Sequence, residues 1–248
     1  MSDPITHPAE ARQLFEKMTK IEVPPTICRI TSPIPGTAFF PGGFGLWCEG
    51  RSVVQLPKGG VMVIGNTFGN EEEHRNALAR GSEDLDANRT WHNLRRWLAV
   101  AGREPWECFF TNAFIGLWPR DSSNSGKVTW SGRGVQALRR HYQERCRDLL
   151  ADQVRLLRPS AVVALGAQVP KFLAGMDPTL SRWQPWPGFA RVDEAGEALV
   201  DLTIAGHRTR AVALLHPSAW GIGGTWNAHI RSLAHDQDLL RRALSTGM

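Results

Sequence analysis

Apolar residues recur along the chain in two rhythms, short unbroken runs and longer stretches at helical spacing. The runs Val61–Ile64, Cys108–Thr111 and Ala161–Leu165 predict strands, and Leu199–Ile204 with Arg210–Leu215 predicts a hairpin or strand pair. A helix is predicted over Pro8–Lys20, with Pro in its first turn and Leu14, Phe15 and Met18 on one side. Further helices are predicted over Thr90–Ala101, closed by Gly102, over Val135–Leu157, and over the short stretch Ala167–Leu173. In the long one, Leu138, Tyr142, Cys146, Leu149 and Leu157 fall on one face. A final helix is expected from about Thr225 to Leu244, with Ile230, Leu233, Leu240 and Leu244 inward. Pro and Gly punctuate Pro24–Gly60, which reads as an irregular segment with short apolar runs around Phe39 and Val53–Leu56. Alternating strands and helices predict a three-layer α/β/α fold around a central, mainly parallel sheet. Residues 1–60 would pack on the core as a helix and irregular segment, and residues 61–248 would form the main domain, the two making one compact unit.

In such a sheet, ligands bind where loops leave the carboxyl ends of the strands. Two loops stand out there: Gly65-Asn66-Thr67-Phe68-Gly69 after the first run, and His216-Pro217-Ser218 after the last. A core seldom needs a histidine at that place, whereas a site often does.

The 248 residues are enough for one large domain, and 42% hydrophobic with 21% charged is ordinary for a globular chain. No run approaches the length of a membrane span, and Met1-Ser2-Asp3-Pro4 lacks the basic and apolar regions of a signal peptide. The expected address is cytoplasmic. Net charge is +5, and all but Lys17, Lys20, Lys58, Lys127 and Lys171 of the 29 basic residues are arginine. Arginine suits phosphate, and so does a basic composition bias with no partner at all; charge alone decides nothing. Ten tryptophans, several in Pro/Gly-rich loops such as Trp183-Gln184-Pro185-Trp186-Pro187, suit stacking surfaces or loop cores equally. Cys28, Cys48, Cys108 and Cys146 show no C-x-x-C spacing and read as buried thiols.

Four segments, in this order, resemble the uracil-DNA glycosylase superfamily: 61–69 (VMVIGNTFG), 109–113 (FFTNA), 157–166 (LRPSAVVALG) and 215–218 (LHPS). The resemblance spans about residues 60 to 245 and is nearest to the branch that usually carries an iron–sulfur cluster. Its first motif runs on into acidic residues as Glu71-Glu72-Glu73 do, and Cys146-Arg147-Asp148-Leu149-Leu150 is similar to another of its segments.

The resemblance implies a DNA glycosylase for uracil or a related deaminated base, acting in base excision repair on DNA, as a monomer, with no cofactor and no membrane. His216 would donate a hydrogen bond to charge developing on the base O2, the kind of donor that carries much of catalysis. Asn112 would read the base edge, since an amide offers donor and acceptor together. Gly65, Phe68 and Gly69 would line the base pocket, with Gly69 standing where one branch has a tyrosine that excludes the thymine methyl group. Ser218 and Trp220 would contact DNA, Trp220 as the wedge that fills the gap left by a flipped nucleotide.

Two departures matter. Where branches of the family place a carboxylate, this chain has Asn66 and Thr67. Asn66 is then expected to position the water through its amide, unless Glu71 or Glu72 approaches the site. The cluster ligands also fail to carry over: Gly116 stands at one cysteine position and only Cys146 at another, so no metal is expected. The branch's stacking phenylalanine has Trp91 only as a loose counterpart. The alternative is a catalytically weak or inactive member that binds nucleic acid.

Overall fold

The computed structural model describes residues 9–34, 39–42, 55–81, 88–119, 135–219 and 231–245. Helix α1 (Ala9–Thr19) precedes strand β1 (Val61–Gly65), the short β2 (Phe68–Asn70), α2 (Glu71–Arg80) and α3 (Arg89–Val100). Then follow β3 (Cys108–Asn112), β4 (Leu117–Trp118), α4 (Val135–Leu157), β5 (Ala161–Leu165) and α5 (Gln168–Ala174). The chain ends with α6 (Phe189–Glu194), β6 (Leu199–Ile204), β7 (His207–Leu214) and α7 (Leu233–Leu244).

The main sheet has the order β3-β1-β5-β7-β6, all neighbours parallel except the edge pair β6/β7. Every residue of β1, β3 and β5 is buried, which requires cover on both faces and explains their unbroken apolar runs. Helices supply that cover, α1 lying against α4 and α3 against α7, so the fold is the expected three-layer α/β/α arrangement. β6 and β7 form the hairpin, joined at Ala205 and Gly206, both at positive φ as a tight two-residue turn of this hand requires. No helix among the described residues is long and apolar enough to cross a membrane.

The first sixty residues are tied in at several points. Phe39 bridges to Phe110, Cys28 to Leu117, and Lys17 pairs with Asp152. Helix α2 has no counterpart among the predicted elements. Its signal was Asn70-Glu71-Glu72-Glu73, a capping box in which Asn70 accepts the Glu73 N–H and the Glu73 carboxylate accepts the Asn70 N–H. The final helix begins at Leu233 and not near Thr225: Ser232 is extended and caps it, its hydroxyl accepting the His235 N–H. Residues 220–230, including Ile230, lie outside the described residues.

Arg231, just ahead of that cap, has a side chain that is 1% exposed. Its guanidinium donates to the Ala213 carbonyl at 2.7 Å, to Asp236 at 2.9 Å and to Asp193, tying α6, β7 and α7 together. Burial pushes the Asp236 carboxyl up to about 6, against the pull of Arg231, and its second oxygen has no partner. Arg231→Ala should therefore cost roughly 3–5 kcal/mol in denaturant unfolding at pH 8, because Asp193 and Asp236 lose their counter-charge. The loss should shrink near pH 5, where Asp236 can take up a proton and stop being a buried charge. An equal loss at both pH values would contradict this account of the cluster.

Candidate functional site

The sheet order changes direction at β1: the chain passes from β1 to β3 on one side, then crosses to β5 on the other. The carboxyl ends of these strands therefore flank a topological switch point, where open α/β sheets bind ligands. A cavity of about 540 Å³ lies there, within the size range of small-molecule sites. Gly65, Asn66, Phe68 and Gly69 from the loop after β1, Asn112 at the end of β3, and His216 with Ser218 after β7 all line it. Trp220 lies outside the described residues.

Contacts along the strand ends set the geometry. Asn66 O and Gly65 O accept the N–H groups of Phe114 and Ala113, which fixes the loop after β1 against the end of β3. Gly65 has to be glycine here. A Cβ would collide with Asn112 Oδ1 and come within 3.3 Å of the Phe39 ring. Its bareness lets the Asn112 amide, 8% exposed, lie directly over the β1 backbone.

Asn66 carries the clearest sign of an open valence. Its Oδ1 is buried and has no hydrogen-bond partner, a costly state for an acceptor unless a ligand or water satisfies it. Thr67 and, from α3, Thr90 line the same cavity, as does Gln168 from α5.

The His216 turn is pinned from three sides. Asn93 of α3 donates to Pro217 O at 2.8 Å, Ala219 N–H closes back on His216 O at 2.8 Å, and Gly166, at φ +75°, packs under the ring. His216 Nδ1 accepts the Ser218 backbone N–H at 3.2 Å, and the Ser218 hydroxyl lies 2.7 Å from the same nitrogen. A backbone N–H can only donate, so Nδ1 is the bare nitrogen and the ring proton sits on Nε2. Burial lowers the pKa of this imidazole, holding it neutral. Ser218, expected as a DNA contact, thus also orients the histidine.

Several expectations need correction. No carboxylate lines the cavity among the described residues. Glu71 is turned away to the Cys28 thiol and Arg75, while Glu73 is spent on the helix cap. Cys28 is exposed, not buried, because its thiol donates to Glu71 at the surface. Cys108 and Cys146 are buried as expected, and burial pushes both thiols up to about 12. Cys48 lies outside the described residues. Trp91 lines the cavity but is 3% exposed, with its ring edge-on to Phe110 at 5.0 Å. Phe39, Thr90, Asn88 and Gln168 were missed; the short apolar run around Phe39 carries no sign that it faces the cavity.

The residues do not fit an iron–sulfur cluster. Gly116 has φ +96°, and a Cβ there would meet Ile27 Cγ2 at 2.5 Å and Cys28 O at 3.0 Å, so a cysteine has no room. Among the described residues no three His, Cys, Asp or Glu side chains are grouped to hold a metal ion.

Residues 56–222 match the family described as the uracil DNA glycosylase superfamily. No curated protein matches the chain.

The tautomer is directly measurable. In nitrogen-15 NMR, His216 should show a bare Nδ1 and a protonated Nε2, and should stay neutral as pH falls through the ordinary histidine value of about 6.5. A doubly protonated ring at pH 7 would overturn the assignment.

Proposed function

The chain belongs to the uracil-DNA glycosylase superfamily, and on that premise we propose that it hydrolyses the N-glycosidic bond of uracil or a related deaminated base in DNA. The observation that supports this most is one cavity shared by a neutral His216, the Asn112 amide and the unpartnered Asn66 Oδ1.

The base leaves its stack and enters the cavity. Asn112 reads its edge, donating and accepting hydrogen bonds, while the rings of Phe39 and Phe68 border it. As the C1′–N bond breaks, its electron pair moves onto the base and the sugar becomes oxocarbenium-like. His216 Nε2–H donates to the base O2 where that charge gathers. An imidazole that is neutral beforehand contributes a donor without a prior positive charge, and the donor is fixed before the reaction begins. Asn66 Oδ1 accepts a hydrogen bond from a water and aims its oxygen at C1′. An oxocarbenium-like centre is electrophilic enough that orientation, more than proton abstraction, is what the water needs. The water proton passes to the departing base anion or to solvent.

A second reading is supported by the absence of a carboxylate among the described lining residues. It is a member that binds a flipped base and does not release it.

His216→Ala should lower the rate of base release from a uracil-bearing oligonucleotide by roughly a hundredfold or more, with affinity for abasic product nearly unchanged, since phosphate contacts dominate binding. Asn112→Ala should slow release and blur the choice among uracil, hypoxanthine and xanthine. Asn66→Ala should cost on the order of tenfold to a hundredfold, and the isosteric Asn66→Asp should recover the rate. For the unmutated protein the rate should hold as pH falls through about 6.5 and decline only below it, because the depressed pKa keeps His216 neutral there. A full rate in Asn66→Ala would remove that residue from the mechanism. Binding without any base release would favour the second reading.

A further inference from the structure

A second cavity of about 440 Å³ adjoins the first, and Asn66 and Gln168 belong to the walls of both. It lies between α4, α5 and the segment around Pro185, and its lining is of a different kind. Three cationic side chains meet there, Arg139 and Arg147 from α4 and Lys171 from α5, together with the partly buried Trp118 and Trp186.

Neither Arg147 nor Lys171 forms an ion pair with a carboxylate among the described residues. Arg147 is partly buried; its Nε reaches the Phe172 carbonyl only at 3.4 Å, and its guanidinium lies 5.4 Å from the Phe172 ring centre. Burial lowers its pKa, and the nearby Glu144 carboxylate offsets this only in part. A partly buried guanidinium without a counter-ion is costly in a folding core and useful in a site for an anion. Indole rings beside cations add a preference for a planar group attached to that anion.

We propose that this second cavity seats the nucleotide next to the target base in a single strand, its phosphate against Arg147 and Lys171 and its base against the indoles. The shared wall gives the reason. A strand that places one base in the first cavity carries its neighbour into reach of the second. In a duplex that neighbour stays stacked on its own helix, so only a single strand can use the site. The inference rests on the glycosylase-family reading of the first cavity for its choice of polymer.

The test is fluorescence anisotropy of the full chain with a labelled oligothymidine that contains no uracil, over a series of salt concentrations. Lys171→Gln and Arg147→Gln should each weaken binding and flatten the slope of log K against log salt by about 0.7, the share of one phosphate contact on a single strand. Binding to the matching duplex should not change. Unchanged affinity and slope for the single strand would overturn the proposal. An equal loss on single strand and duplex would overturn it too, because the cations would then be a general basic surface. Thermal melting checks each fold; if Arg147→Gln unfolds, the exposed Lys171 decides alone. No base is removed in this assay, so its result stands whether or not the protein proves to be a glycosylase. Base release with neither variant affecting strand binding would sink the second site and leave the enzyme reading intact.

Discussion

Parallel strands buried on both faces can present polar chemistry only at their ends. β1 and β5 are apolar throughout and β3 turns polar only at its end, at Thr111 and Asn112, and their register stacks Gly65 beside Asn112 and Ile64 beside Ala164. The crossover from β3 to β5 opens a gap at the carboxyl edge, and Asn66, Asn112, His216 and Ser218 are all attached there. The tightest point is the contact of Gly65 with Asn112, where a single added carbon would displace the amide. Sheet register, glycine and amide form one unit, so the site inherits the rigidity of the core.

The electrostatics of the site are unusual for what is absent from its lining. A carboxylate would attract positive charge developing on the sugar, yet none lines the cavity among the described residues. The arrangement depends on neutral dipoles instead: an imidazole kept uncharged by burial and an amide oxygen kept unpartnered. Preorganised dipoles act strongly because they need not reorganise as charge moves. Charge is concentrated next door, around Arg147 and Lys171, where a phosphate would be held and not cleaved.

Much of this was legible in the sequence, for physical reasons that differ by element. Buried strands announce themselves as unbroken apolar runs, and the 3.6-residue rhythm of α4 fixed its bounds at Val135 and Leu157. Glycine at a strand end and histidine after another are costly choices for a core, which is why Gly65 and His216 could be picked out. Asn66, Asn112 and Ser218 followed from the family resemblance, and the structure gathers them around the same cavity. The short apolar run around Phe39 was visible, but its place at the cavity was not, because it is set by a bridge to Phe110, a tertiary contact with no periodic trace. Helix α2 was overlooked because its first turn, Glu71 to Glu73, resembles a solvated acidic run, although Asn70 and Glu73 spell its cap. Just ahead of α7 lies the buried Arg231, whose partners Asp193 and Ala213 are distant in sequence.

The central claim is that neutral groups at the sheet's carboxyl edge release a base from DNA with one water. Incubating the unmutated protein with a single-stranded oligonucleotide carrying one uracil, in water enriched in oxygen-18, tests it most directly by mass spectrometry. The account predicts free uracil and an abasic strand bearing one oxygen-18 at C1′. An intact strand at complete binding, for uracil and for every deaminated base tried in its place, would contradict it.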